Sequence, residues 1–411
     1  MLVKAFKGLL FAFLVGFCFL RAMAYGSSFP KVPQELVEEI MVKAEDGVDL
    51  KLWHLSRPGK PIVLLNPGLG AQGLSLEIPA TKLWETGEFD VFVSNWRGSV
   101  KLDAPYKMLN PNGPNGLNEV LRYDFSAHLR FILNQYANDF QRDHGISVLG
   151  HSMGGMMIAG TLTDDARKAE FLPFLKSVTL FQSPHHLKYL LPRMNILAKA
   201  GTTLVDALRK NGLNSIDMHS KYFELSRQYK SEGGLRGAFV IPALESMAME
   251  VVKLAISPAH TGRNAFRRAF FKMPAYSVPL DLLEGFRDAL VSQSGLFHDK
   301  NGELLIDASK ISGVPVLVVR SDLDTLAPMK EQKEYYEEIG SFEKVQFTVH
   351  EINHVDSVLA TRDEIVFFNS VIDFMRDPLK YTGTHKSNYK LVPECDSLLK
   401  RLAMKVRLRG I

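Results

Sequence analysis

The feature that most constrains this fold is a serine between glycines, placed where an apolar run gives way to a helical pattern. Residues 150–154 read G-H-S-M-G; they follow the apolar run 146–149 and precede a helical stretch at 155–162. Side chains at the two glycine positions would collide with the neighbouring strand or helix. The sequence therefore predicts a strand, a sharp turn and a helix, with Ser152 at the apex. Its hydroxyl would lie at the helix N-terminus, where a serine nucleophile can work beside free N–H groups.

Apolar runs alternate with helical patterns along much of the chain. The runs occupy 61–66, 90–95, 146–149, 177–181, 314–319 and 345–349. Residues 117–138 carry apolar side chains at helical spacing. Continuous apolar strands separated by helices are typical of a parallel sheet covered on both faces. The sequence thus predicts an α/β core over 25–183 and 306–377.

The long interval 184–305 interrupts this alternation. It holds mostly helical patterns and is too long for a loop, so we interpret it as an inserted helical cap beside the serine turn. Its methionines and aromatics could line a substrate pocket or form the cap's own core. The candidate substrate-binding residues are Phe239, Met247, Phe270 and Phe271 in this interval and His151 beside the serine.

A serine nucleophile needs a base, and the base needs an acid to orient it. With this motif, the expected chain order is serine, acid, histidine. Asp322 and Asp324 both follow the run at 314–319; Asp324 lies deeper in the loop and is the favoured acid. His350 ends the last run, whereas His354 lies in the loop beyond it and can reach over the sheet edge, which favours it as the base.

An oxyanion that forms at the serine needs two N–H donors. The sequence offers Met153, directly after the serine, and Leu69, in the glycine-containing turn after the run at 61–66. An ordinary tight turn is the alternative reading of those glycines.

The sequence carries no metal-ligand spacing such as H-E-x-x-H or C-x-x-C. The adjacent histidines His185 and His186 would point apart on regular structure, which favours residues of the cap entrance over ligands. We therefore expect neither a metal ion nor another cofactor.

With these residues in hand, the chain resembles the α/β-hydrolase fold and, within it, the acid-lipase-like branch of gastric and lysosomal lipases. Four segments carry the resemblance: 90–98 (DVFVSNWRG), 123–127 (YDFSA), 150–154 and 353–356 (NHVD). Two departures are Asn66-Pro67-Gly68, where those lipases have His-Gly, and Gly155 in place of their usual threonine.

The resemblance implies an ester hydrolase with a lid, acting on neutral lipids. From the residues, we expect a Ser152–His354–Asp324 triad that cleaves a small-molecule or lipid ester with an apolar acyl group through an acyl-enzyme. The alternatives are an acyltransferase or polyester depolymerase on the same triad, or a non-catalytic binding protein of this fold. The complete set of three residues argues against the last.

The N-terminus predicts export. Lys4 and Lys7 precede an apolar stretch at 8–20 and the A-x-A sequence of residues 22–24, which together are typical of a secretory signal peptide over 1–24. We expect a secreted or periplasmic protein; an uncleaved membrane anchor is the alternative. Only Cys395 would then remain, so the mature chain forms no internal disulfide.

Charge gives no support to nucleic-acid binding. The net charge of +4 includes Lys4, Lys7 and Arg21 and no acid from 1–24, so removal of that segment leaves +1. The tail 378–411 ends in a basic amphipathic pattern with an apolar face at Leu398, Leu399, Leu402 and Val406. Such a helix can contact an anionic membrane surface or dock on its own domain.

Overall fold

The computed structural model describes the parts of the chain that surround the serine turn. The described residues are 29, 31–69, 72–98, 110, 113–189, 209–210, 215–217, 277–292, 294–350, 352–355, 358, 367–382 and 389–390. The predicted signal peptide, the basic C-terminal helix and the cap residues Phe239, Met247, Phe270 and Phe271 lie outside them. Within the described part, no helix is both long and apolar enough to cross a membrane.

The strands form one large sheet and one small one. In chain order they are β1 (Val37–Lys43), β2 (Asp49–Leu55), β3 (Ile62–Asn66), β4 (Asp90–Ser94), β5 (Ile146–His151), β6 (Leu175–Phe181), β7 (Ser215–Asp217), β8 (Ser277–Pro279), β9 (Val316–Ser321), β10 (Lys344–Val349) and β11 (Tyr389–Lys390). The nine-stranded sheet has the order β1-β2-β4-β3-β5-β6-β9-β10-β11. In this sheet β2 is antiparallel to both β1 and β4, and all the other neighbouring strands are parallel. Strands β7 and β8 form a separate antiparallel pair.

Helices cover the sheet. They are α1 (Glu77–Glu85), α2 (Leu117–Glu119), α3 (Phe125–Gln135), α4 (Asp139–His144), α5 (Met153–Thr163), α6 (Asp165–Phe171), α7 (Leu280–Val291), α8 (Met329–Glu338), α9 (Phe368–Arg376) and α10 (Leu379–Thr382). A π-helical segment, Val120–Asp124, joins α2 to α3. Short 3₁₀ turns lie at Gln34–Leu36, Gly73–Leu76, Leu172–Phe174 and Ala308–Lys310.

Side-chain alternation along the strands builds two cores, one on each face of the sheet. On β3, Ile62 and Leu64 join one buried cluster, whereas Val63 and Leu65 join the other. The same alternation runs along β9. Burial on both faces explains why these strands read as continuous apolar runs. All six predicted strands are present, as β3, β4, β5, β6, β9 and β10, and the predicted parallel α/β sheet is confirmed.

Five strands were not predicted from the sequence: β1 and β2 at the antiparallel edge, the separate pair β7 and β8, and the short β11. The β2 segment carries Lys51 and His54 among its apolar residues, and both side chains are buried. Lys51 pairs with Glu39 of β1 at 2.7 Å, and His54 pairs with Asp90 of β4 at 2.7 Å. These polar residues are accommodated by partners on neighbouring strands, which a local apolar pattern cannot reveal.

The interval 184–305 is described only in part. Within it, α7 packs against α2 so closely that a Cβ on Gly285 would lie 2.5 Å from Leu117 Cβ. Leu282 of α7 joins the same buried cluster as Leu117. These contacts join the end of the interval to the core, and the cap itself stays a prediction.

Candidate active site

The turn between β5 and α5 holds Ser152 in a strained backbone conformation. Its φ is 53° and its ψ −123°, and among the described residues only Gln182 shares a positive φ without being glycine. A Cβ on Gly150 would lie 2.3 Å from the Gly154 carbonyl carbon, and one on Gly154 would lie 2.1 Å from Asn66 O. Both glycines are therefore required for the sharp turn that the motif predicts.

The loop after β10 brings His354 to the serine. Nε2 of His354 lies 2.8 Å from Ser152 Oγ, and Nδ1 lies 2.8 Å and 3.0 Å from the two carboxylate oxygens of Asp324. A proton on Nδ1, donated to the carboxylate, leaves the Nε2 lone pair facing the serine hydroxyl. This geometry suits an imidazole that removes the serine proton.

Asp324 lies in the loop after β9 and is itself held by the backbone. Its Oδ1 accepts hydrogen bonds from the N–H groups of Leu326 at 2.9 Å and Ala327 at 2.8 Å. Asp324 and His354 are only 5% and 3% exposed. Since β9 and β10 are adjacent parallel strands, their carboxyl ends lie side by side and deliver both loops to the same edge.

Met153 and Leu69 lie on the two segments that flank the serine. Met153 is the first residue of α5, where a backbone N–H has no partner within the helix. Leu69 is half-buried in the turn after β3. That turn packs on the serine, because a Cβ on its Gly68 would lie 3.0 Å from Ser152 Cβ. The Trp96 indole N–H donates to Gly68 O at 3.2 Å and anchors the turn.

His151 is buried between the serine turn and the loop that carries the base. Its Nε2 donates to His354 O at 2.9 Å, and the two rings lie 5.1 Å apart. Burial, together with the nearby His354, lowers the pKa of His151 to about 3, so its ring is neutral at ordinary pH. The hydrogen bond from the His151 ring therefore fixes the backbone carbonyl of His354 next to the serine turn.

His185 and His186 do not diverge as the sequence suggested. They follow β6 in an irregular segment, their ring centroids lie 4.1 Å apart, and both side chains are buried. The sequence prediction assumed regular structure at this point, which the chain does not adopt. Sequence reasoning also missed Glu331 of α8, which lies against them. No local signal could have found it, because 145 residues separate it from His186.

The comparisons with known proteins bear on the fold. No protein-family model and no curated protein matches the chain. The structure of DcsB in complex with its substrate analogue is similar, with a TM-score of 0.52 and 15% identity over 83% of this chain and 99% of that one.

Two further solved structures are similar at a TM-score of 0.48 and 14% identity. They are a thermophilic esterase from Thermogutta terrifontis with malate bound, covering 84% of this chain and 100% of that one, and the α/β hydrolase GrgF from Penicillium sp. sh18, covering 85% and 99%. The fold assignment depends on the likeness to DcsB and on this chain's own strand order, with its serine turn after β5. This chain has the α/β-hydrolase fold.

Proposed function

We propose that this protein is a serine hydrolase that cleaves carboxylic esters with an apolar acyl group. The observation that carries the proposal is the continuous series of contacts from Asp324 through His354 to Ser152, each 2.8 Å long. The serine lies in the strained turn at the start of α5, and the other two residues are buried. Such a series activates a hydroxyl that is otherwise a weak nucleophile.

The proposed reaction follows from these contacts. Ser152 Oγ attacks the ester carbonyl while His354 Nε2 takes its proton, and Asp324 stabilises the resulting imidazolium. The N–H groups of Met153 and Leu69 would stabilise the oxyanion. His354 then protonates the leaving alcohol, which leaves an acyl group on Ser152. Water, deprotonated by His354, attacks that acyl group and releases the carboxylic acid, with His354 returning the proton to Ser152.

The substrate class is proposed from the sequence. The interval 184–305 is rich in aromatics and methionines, and the resemblance to the acid-lipase-like branch implies lipid esters. An apolar lining favours long acyl chains by at most about 0.8 kcal/mol for each buried methylene. The protein would then act on small-molecule or lipid esters without a cofactor in the reaction itself.

The experiment is a panel of p-nitrophenyl esters from acetate to palmitate, with a fluorophosphonate probe to label the nucleophile. We expect turnover that improves with acyl length, and labelling that Ser152→Ala abolishes. The matched control is Ser147→Ala on the same strand, whose buried hydroxyl accepts a hydrogen bond from Ser177 Oγ of β6 at 2.9 Å, away from the triad. Labelling that survives Ser152→Ala would disprove the proposal.

The same panel separates the alternatives. Polyhydroxyalkanoate and triglyceride are tested beside the soluble esters, with and without added alcohol. Faster acyl transfer to alcohol than to water would identify an acyltransferase, and activity confined to the polymer would identify a depolymerase.

A further inference from the structure

A buried cluster lies apart from the triad, where the chain leaves β6. It consists of His185 and His186, just beyond β6, and Glu331 on α8. These side chains are 2%, 5% and 0% exposed. One potential ligand atom from each lies within 4.8 Å of the other two. Two imidazoles and a carboxylate are the donor set that zinc and related transition metals prefer.

Carboxylates of α8 orient both imidazoles from the outer side. His185 Nε2 lies 3.0 Å from Glu338 Oε2, and His186 Nε2 lies 3.4 Å from Glu334 Oε2. His185 also stacks on Tyr335, with ring centroids 4.4 Å apart and an interplanar angle of 12°. A histidine ligand commonly donates its second ring N–H to a carboxylate, which leaves the other nitrogen as a lone-pair donor.

Glu338 and Glu334 contact the Nε2 atoms, which makes Nδ1 of each ring the candidate ligand atom. Nδ1 of His185 and Oε2 of Glu331 have no hydrogen-bond partner among the described residues. Nδ1 of His186 lies 3.7 Å from Glu331 Oε1 and has one long contact, 3.4 Å, from the Lys188 N–H. Glu331 Oε1 accepts from the His186 N–H at 3.3 Å. Buried polar atoms without partners are costly, and a bound cation would satisfy those of His185 and Glu331 together.

We propose that His185, His186 and Glu331 bind a divalent transition-metal ion, with Zn²⁺ as the foremost candidate. The two Nδ1 atoms and a carboxylate oxygen of Glu331 are the ligands. Bonds of about 2.0–2.2 Å require ligand atoms roughly 3.5 Å apart, so side-chain rotations that close the present spacing by about 1 Å complete the site. At least one coordination position is left for water.

The position of the site indicates a structural role. A bound ion would link two parts of the chain: the segment that follows β6, at the start of the interval 184–305, and α8, the helix that follows the Asp324 loop. A second contact joins the same two segments, since Gln332 Nε2 donates to Ser183 O at 2.7 Å. A metal ion here would fix the entrance to that interval relative to the triad without taking part in ester cleavage.

The test uses the full-length protein without a histidine tag. The protein is stripped with a chelator, reloaded with Zn²⁺, dialysed and analysed by elemental mass spectrometry, and its thermal midpoint is measured with and without Zn²⁺. We expect one ion per chain and a higher midpoint with the metal. Both readouts are independent of esterase activity, so they fail or succeed separately from the proposed function.

Two variants and one matched control locate the ion. His185→Gln and Glu331→Gln should each weaken Zn²⁺ binding by at least about 100-fold. His350→Gln is the control, because His350 also pairs with a carboxylate but lies at a partly exposed site; it should bind Zn²⁺ as the wild type does.

Co²⁺ loading of the wild-type protein adds a measurement that does not depend on the folding of a variant. Its visible absorption bands should have the higher intensity that is typical of Co²⁺ with few ligands, including nitrogen, rather than the weak absorption of hydrated Co²⁺. Absence of retained zinc in the wild type, or zinc retention that neither variant reduces, would overturn the proposal.

Discussion

His350 Nδ1 lies 2.9 Å from Asp322 Oδ2, so these two residues pair with each other at the carboxyl ends of β9 and β10. Their side chains are 33% and 32% exposed, whereas those of His354 and Asp324 are 4% and 0% exposed. Both pairs join the end of β9 to the end of β10. The chain therefore contains an exposed histidine–aspartate pair beside the buried one, and the exposed pair is an internal control for the proposed chemistry.

The two histidines should respond very differently to substitution. His354→Ala removes the group that contacts Ser152 Oγ and should lower kcat by about 10⁴-fold or more, by analogy with other triads. His350→Ala should leave kcat within a few-fold of the wild-type value, since its partner is Asp322. Steady-state kinetics on a soluble ester decides this, and the reverse pattern would place the base at His350.

The two aspartates form a second matched comparison. Asp324→Asn removes the charge that holds the Nδ1 proton of His354 and should lower kcat by about 10⁴-fold. Asp322→Asn should have little effect on kcat. Thermal melts of both variants test whether unfolding causes any loss of kcat. Equal losses of kcat in the two variants would count against Asp324 as the acid.

A methyl group at Gly68 should leave the protein folded but lower its activity. A Cβ there would lie 3.0 Å from Ser152 Cβ and 3.2 Å from His151 Nδ1, so Gly68→Ala should displace the serine and lower kcat. The control Gly59→Ala has no heavy atom within 4 Å of the new Cβ but a φ of +80°. It should cost roughly 1–2 kcal/mol of stability with kcat unchanged. Unchanged kcat in Gly68→Ala would contradict the close approach.

Acid should destabilise the fold through a buried histidine of α3. Burial lowers the pKa of His128 to about 4, while its Nε2 donates to Asn95 O at 2.8 Å. An unfolded chain protonates histidine near pH 6.5, so between pH 6.5 and 4 the unfolded state binds the extra proton. The free energy of unfolding then falls as pH falls, by up to about 1.4 kcal/mol per pH unit.

The test compares denaturant unfolding of wild type and His128→Gln between pH 7 and pH 4. The variant lacks this titration, so its stability should fall less steeply with acid. His151, whose pKa is also lowered, is present in both proteins and cancels from the comparison. Parallel curves would mean that His128 is not the group responsible.

We propose that residues 1–24 are removed on export, which gives a mature N-terminus at Tyr25. Phe29 is fully buried, and its ring lies 6.1 Å from that of Trp53. Cleavage after Ala24 leaves this contact intact. The intact mass of exported protein decides the matter; a species that retains Met1 and sediments with membranes would instead support an anchor.

Local sequence determined most of the architecture that carries the site. Five of the six apolar runs became strands that contribute hydrophobic side chains to both cores, and the sixth, β10, contributes Val345, Phe347 and Val349 to one core, so their patterns could be identified from the sequence. The turn at Ser152 could also be predicted from the sequence. Side chains at Gly150 and Gly154 would collide with residues a few positions away or with the end of the adjacent strand, so the motif needs glycine at both positions. Strand β2 could not be predicted in this way, because its buried Lys51 and His54 are paired with carboxylates on neighbouring strands.

Only the tertiary structure decided which groups meet. Asp322 and Asp324 share one loop and one chemistry, and the difference between them arises from the two N–H groups that hold Asp324 and from the direction of each side chain. His185 and Glu331 come together because the segment that follows β6 lies against α8, although the two are far apart in the sequence. Periodicity reports which face of an element is buried, whereas a constellation of polar groups depends on contacts between distant segments, which no local pattern encodes.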